Sequence, residues 1–127
     1  GICVGMQILS KSSEEGKLPG LGWIDAKVLK FDNDLFTSKP KLPHMGWNSV
    51  EIIHKHGLFK NIDPMEGFYF IHSYYVSCNN NDDIATRTFY GLNFASSVIR
   101  NNIIGVQFHP EKSHENGVEL LKNFALL

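Results

Sequence analysis

Six runs rich in Val, Ile, Phe and Tyr occupy residues 23–31, 47–53, 68–77, 84–90, 94–99 and 103–108, parted by clusters of Asn, Asp and Gly. Runs of that length and composition suit a pleated, half-buried surface and predict strands. A helical spacing stands at each end of the series. Residues 4–12 carry apolar Val4, Ile8 and Leu9 with Met6 between, and Val118, Leu121, Phe124 and Ala125 recur at helical intervals after Ser113, which is placed to cap them. Residues 16–22 form a Gly- and Pro-rich turn cluster, and residues 78–83 a solvated Asn/Asp loop. Helix, many strands, helix is the order of an α/β domain whose sheet is covered by helices. The chain opens on Gly1 rather than on an initiator methionine and reads from there like the middle of a domain. The expectation is that the remaining strands and helices of the domain precede it.

Composition narrows the function classes. At 127 residues and 43% hydrophobic, the chain suits one domain with a sizeable core. A net charge of -1, with both signs interspersed, excludes the basic footprint of a nucleic-acid binder. No stretch approaches the ~20 apolar residues of a membrane helix. Two cysteines, Cys3 and Cys78, suit a reducing cytoplasm better than a disulfide scaffold.

Chemistry concentrates at the two ends. Gly1-x-Cys3-x-Gly5 is the pattern of a nucleophile elbow, a sharp turn from strand to helix that presents one side chain. Flanking glycines would give the turn its room, and the following helix N-terminus would favour the Cys3 thiolate. The Val4 N–H would face a developing oxyanion. Far along the chain, the run at residues 103–108 delivers His109 at its end, with Glu111 two residues on. Positions i and i+2 of an extended segment share a side, so Glu111 can orient the His109 ring while its other nitrogen exchanges a proton with Cys3. Nucleophile, base and orienting acid are the parts acyl transfer requires. His54-x-His56 lacks a convincing third ligand, and no metal is expected. Cys78 reads as a bystander thiol.

These residues, with Ser13-Glu14-Glu15-Gly16, Leu18-Pro19-Gly20-Leu21-Gly22, Pro43-His44-Met45-Gly46-Trp47-Asn48, Tyr69-Phe70-Ile71-His72-Ser73-Tyr74 and residues 105–113, resemble the class I, triad-type glutamine amidotransferases over the whole chain. The Pro43–Asn48 and Tyr69–Tyr74 runs resemble most the glutaminase subunits of imidazole glycerol phosphate synthases. The resemblance implies a flavodoxin-like α/β domain with a mixed central sheet, of which residues 1–127 form the C-terminal part, lacking its N-terminal strands and helices. It implies Cys3 as nucleophile, His109 as base and acid, Glu111 as its partner and Val4 as oxyanion donor, with no cofactor. Gln7 and Glu15 would hold the polar end of glutamine, and the Ser73 and Tyr74 backbone its α-carboxylate. Trp47, Asn48, Tyr69 and Lys112 would meet a (β/α)₈ cyclase subunit that uses the ammonia in histidine biosynthesis. Relatives that feed sugar-modifying synthases of surface polysaccharide pathways are an alternative, to which residues 22–27 and 111–114 are somewhat more similar. A cysteine hydrolase of related fold is another, though it would not need Gln7, Glu15 and the Ser73–Tyr74 backbone.

Overall fold

A computed structural model describes residues 1–32, 34 and 40–127. Its centre is a seven-stranded mixed sheet. In chain order its strands are β1 (Ser12–Ser13), β2 (Ala26–Lys30), β4 (Glu51–Ile52), β6 (Tyr74–Cys78), β7 (Ile84–Tyr90), β8 (Leu92–Arg100) and β9 (Ile103–Val106), while β3 (His44–Asn48) and β5 (Phe68–His72) form a separate antiparallel ribbon. β1 runs parallel to β2, and the other paired strands of the central sheet are antiparallel.

The nine-residue β8 organises this sheet. It gives one edge to β7 and divides the other, pairing Ala95 with Val76 of β6 and Ser97–Arg100 with β9. Hydrophobic cores cover both faces. One centres on Phe31, Phe68, Phe70, Phe94 and Phe108, the other on Met6, Ile24, Val28, Val76 and Val98. Phe68 and Phe108 stack with centroids 3.8 Å apart, an aromatic contact that ties the β3–β5 ribbon to the segment after β9.

The expected strands are present, with two instructive breaks. Residues 68–77 divide at Ser73, because β5 pairs with β3 while β6 pairs with β2, and the Ser73 carbonyl accepts from Phe31 N at 3.2 Å between the two ladders. Residues 47–53 divide into β3 and β4. There the Asn48 side chain accepts from Ser49 N at 2.9 Å, closing a local turn that competes with the ladder.

The first helical expectation needs correction, as does the cap expected of the second. The first helix, α1 (Val4–Gln7), is a single turn rather than residues 4–12. The turn cluster docks on its end: Leu21 N donates to Ile8 O, Gly22 N to Ser10 O and Ile24 N to Leu9 O, taking carbonyls a longer helix would use. The second helix, α2 (His114–Ala125), forms as expected, and the apolar residues that mark its spacing lie outward. Asn116, Gly117, Leu120 and Asn123 face inward, while Val118, Leu121 and Phe124 are exposed. Hydrogen bonding decides the face. The Asn116 amide donates to Asp63 O and Gly67 O, both at 2.8 Å, and Asn123 donates to Leu58 O and Lys60 O at 3.0 and 2.7 Å. A Cβ on Gly117 would lie 1.8 Å from the Pro110 carbonyl oxygen, so only glycine lets the helix approach that turn. Ser113 does not cap α2 with its side chain. Its hydroxyl donates to His109 O at 2.6 Å and accepts from Tyr69 N at 2.9 Å, fastening the turn after His109 to β5.

Candidate active site

Cys3 stands between an extended segment and α1, with φ 51° and ψ -110°, a conformation costly for any residue with a Cβ. Both sides of the turn hold it there. Ile2 bridges Val106 in parallel, Cys3 N donates to Val106 O at 2.8 Å, and the Cys3 carbonyl accepts from Met6 N and Gln7 N. Of the two flanking glycines, the elbow needs Gly1: a Cβ there would lie 2.3 Å from the Gly5 carbonyl oxygen, whereas one on Gly5 meets nothing within 4 Å. That corrects the expectation that both were needed for room.

Seating Cys3 on β9 places it beside the residue that follows that strand. Gln107 is fully buried and donates from Nε2 to Cys3 Sγ at 3.6 Å. Its Oε1 accepts from Gln7 Nε2 at 3.2 Å, and Gln7 Nε2 also donates to Tyr74 O at 3.2 Å. Both amide hydrogens of Gln7 are thereby spent on the protein, and its Oε1 is left as the group a ligand could use. Gln107 was not among the expected site residues. The signal was a lone amide within an otherwise apolar run, since a polar side chain buried in a strand requires partners.

His109 follows at the end of the same segment, its N–H donating to Tyr69 O at 2.9 Å. Its Nδ1 lies 2.6 Å from Glu111 Oε1 across a one-turn 3-10 helix, Pro110–Lys112. A carboxylate can only accept, so Nδ1 carries the hydrogen and the lone pair of the neutral ring is on Nε2. Nε2 is buried without a hydrogen-bond partner among the described residues. Burial works to raise the Glu111 pKa. The His109 hydrogen bond, with smaller help from Glu111's own backbone N–H and the charges of His109 and Lys112, outweighs it and holds the carboxyl below its ordinary value.

Electrostatics correct the expected thiolate. Burial pushes the Cys3 thiol up, and hydrogen bonds from the Val4 N–H and Gln107 only partly oppose it, with Glu111 and Glu15 adding negative charge. A one-turn helix does not overcome desolvation, so the site favours the Cys3 thiol over the thiolate. Cys78 is raised further, to about 11, by burial and by Asp83 and Asp25.

The other expected residues fall into two groups. Val4, Gln7 and Glu15 line one open cavity of about 280 Å³ with Ile8, Leu18 and Pro19. Ser73 sits at the break between β5 and β6, its N–H donating to no acceptor among the described residues, and Tyr74 begins β6. Trp47 and Tyr69 are register partners on the outward side of the β3–β5 ribbon. The Lys112 ammonium lies 5.9 Å from the Tyr69 ring centroid, and Trp47 packs edge-on against His114 at 5.1 Å. Asn48 is not brought to that face. It points inward and donates to Phe89 O at 2.9 Å and His44 Nε2 at 3.2 Å. His56 accepts from Leu58 N at 3.1 Å, capping a 3-10 turn.

The family model for class-I glutamine amidotransferases matches residues 1–127. The chain belongs to that family. It is 53% identical over 127 residues to a Leptospira interrogans protein named imidazole glycerol phosphate synthase subunit HisH, covering all of this chain and 62% of that one. A protein of the same name from Bdellovibrio bacteriovorus is 50% identical over 125 residues, covering 98% of this chain and 61% of the relative. The chain therefore spans about three fifths of the length of these curated relatives. A solved structure from Thermoplasma acidophilum, described as that of a GMP synthase subunit, superposes with a TM-score of 0.68 at 23% identity, over 98% of this chain and 53% of its own. At that identity it shows the fold alone. No helix among the described residues is long and apolar enough to cross a membrane.

Proposed function

We propose that this chain belongs to a glutaminase subunit that releases ammonia from glutamine for imidazole glycerol phosphate formation in histidine biosynthesis. One observation carries the reading. A half-buried thiol and a histidine whose Nδ1 is held by a carboxylate at 2.6 Å are mounted on the same segment, Val106 to Glu111, one through Cys3 N to Val106 O and the other directly. Curated relatives named as HisH subunits support the choice of acceptor.

His109 Nε2 takes the Cys3 proton, and the sulfur attacks the side-chain amide carbon of glutamine. The oxyanion that forms is met by the Val4 N–H. Imidazolium His109, steadied by Glu111, returns the proton to the departing nitrogen. Ammonia leaves and a γ-glutamyl thioester remains on Cys3. Water, deprotonated by His109, cleaves the thioester to glutamate and restores the thiol. Gln7 Oε1 accepts from the substrate ammonium, Glu15 supplies the opposite charge, and the Ser73 and Tyr74 N–H groups receive the α-carboxylate.

Ammonia is useful only if it stays neutral and reaches its acceptor, so a partner enzyme docks nearby. The outward face of the β3–β5 ribbon, with Trp47, Tyr69 and Lys112, is the surface offered to a (β/α)₈ cyclase, with Asn48 bracing it from within. The setting is the cytoplasm, and no cofactor takes part. The test is glutamate formation by the full-length protein, titrated with purified cyclase. Glutamate release that rises with the cyclase and vanishes in Cys3→Ala is expected. A rate that responds instead to a sugar-modifying synthase would move the acceptor, and full turnover by Cys3→Ala would end the reading.

A further inference from the structure

Two histidines that the chemistry above leaves unused lie side by side in the core. His44 of β3 and His72 of β5 are register partners, 2% and 6% exposed. Aromatic rings surround them: His44 stacks on Phe70 and Tyr90 at 4.7 and 4.1 Å, and His72 contacts Phe31 and Phe94 at 5.4 and 5.1 Å. Imidazoles in an apolar core ordinarily cost stability unless each ring nitrogen is satisfied. Here all four are.

The hydrogen-bond directions are forced. Tyr74 O can only accept, so His72 Nδ1, 2.7 Å away, donates. In a neutral ring His72 Nε2 then accepts, and His44 Nδ1 donates to it at 2.8 Å. His44 Nε2 in turn accepts from Asn48 Nδ2 at 3.2 Å. Burial lowers both pKa values, to about 3 for His44 and about 4 for His72, so neutral rings and a single donor order persist across the physiological range.

The hydrogen-bonded series ends on the carbonyl that also receives Gln7. A carbonyl oxygen has two lone pairs. His72 takes one at 2.7 Å, and Gln7 Nε2 is left the other at 3.2 Å while its second hydrogen goes to Gln107 Oε1. With Nε2 tied twice, Gln7 presents Oε1 outward, the orientation that accepts from an ammonium. A flipped amide would present a donor to a cation.

We propose that His72, oriented by His44, is a positioning residue for glutamine binding: by occupying one lone pair of Tyr74 O it fixes the amide orientation of Gln7 and, through Gln107, the hydrogen bond on the Cys3 sulfur. This role rests on the glutaminase reading for its substrate but not for its geometry.

Two isosteric variants of the full-length protein separate positioning from packing. His72→Asn places an amide N–H where Nδ1 stands and keeps the bond to Tyr74 O. His72→Gln reaches the Nε2 position and keeps the bond to His44 but loses Tyr74. Each leaves one buried partner unpaired, so a purely structural role would penalise both alike. The expected result is a glutamine KM raised about tenfold in His72→Gln with kcat within about threefold, and a KM within about threefold of the parent in His72→Asn. The Gln7 side-chain amide NMR signals should shift in His72→Gln and stay in place in His72→Asn. Equal KM changes in both variants, or an unmoved Gln7 amide in His72→Gln, would overturn the proposal. If neither variant folds, ¹⁵N shifts of His72 in the parent decide: the Nε2–H tautomer would overturn it. A parent that turns over no glutamine would defeat the glutaminase reading alone, since the Gln7 signals judge the positioning independently.

Discussion

Replacing Gln107 by methionine removes one amide from a fully buried position at almost constant volume. Two bonds go with it. Cys3 Sγ loses the donor at 3.6 Å, and one hydrogen of Gln7 Nε2 loses its acceptor at 3.2 Å. The first loss destabilises the thiolate relative to the thiol, because the Gln107 bond is one of the two influences that lower the Cys3 pKa. Taking about 1 kcal/mol for a bond of this length to sulfur, the thiol pKa rises and the thiolate fraction at neutral pH falls about fivefold. The second loss leaves a half-buried donor unpaired, at about 1–2 kcal/mol of stability. The rate of Cys3 alkylation by iodoacetamide, followed against pH in the full-length protein carrying Cys78→Ser, reports the first effect without requiring turnover. The profile should move to higher pH in Gln107→Met. An unmoved or acid-shifted profile would show that Gln107 does not act on the sulfur.

Other outcomes follow from the same contacts. His109→Ala should cost about a thousandfold in glutaminase kcat/KM, and Glu111→Gln, which keeps an acceptor near Nδ1, about ten- to hundredfold; steady-state kinetics showing the reverse ranking would refute the assigned roles. Gly1→Ala should destabilise by about 1–3 kcal/mol through the 2.3 Å clash with Gly5 O, whereas Gly5→Ala, inside α1 and facing open space, should stabilise by about 0.5–1 kcal/mol. Urea unfolding of the two variants checks that ordering. Because burial lowers the folded pKa values of His44 and His72 to about 3 and about 4, the unfolded chain protonates first as pH falls. Stability is therefore full above about pH 6.5 and lost as pH falls from there toward 4, by up to about 1.4 kcal/mol per pH unit for each histidine. Glu111, with a carboxyl held below 4.5, adds its loss only at lower pH. A urea midpoint that stays flat from pH 7 to 5 would contradict buried neutral rings.

Local pattern singled out Cys3, His109 and Glu111 as candidates and carried most strands, because each is announced by spacing over a few residues. Cys3 sits between glycines, His109 and Glu111 share a side, and Ile84–Tyr90 is a β-branched and aromatic run bounded by Asp83 and Gly91. What escaped depended on distant partners. Nothing near Ser73 tells that β5 and β6 belong to different sheets; the choice is made by His44–Asn48 and Ala26–Lys30, each pairing with one half. The face of α2 was hidden for the same reason. Asn116 and Asn123 look like surface residues until Asp63, Gly67, Leu58 and Lys60 offer backbone groups that need them. Gln107 and the His44–His72 pair were equally hidden, since a buried amide or imidazole declares its role only through what it touches. The Cys3 thiol misled in the other direction. Its helix position argues for a thiolate, and the desolvation that reverses this is a property of the assembled site.

The most direct measurement of the central claim is peptide mass spectrometry of the full-length protein, quenched with acid during glutamine turnover. A γ-glutamyl adduct on the peptide carrying Cys3, lost on base treatment and absent in His109→Ala, is the predicted result. Glutamate release with no adduct there, or with the label on Cys78 instead, would contradict it.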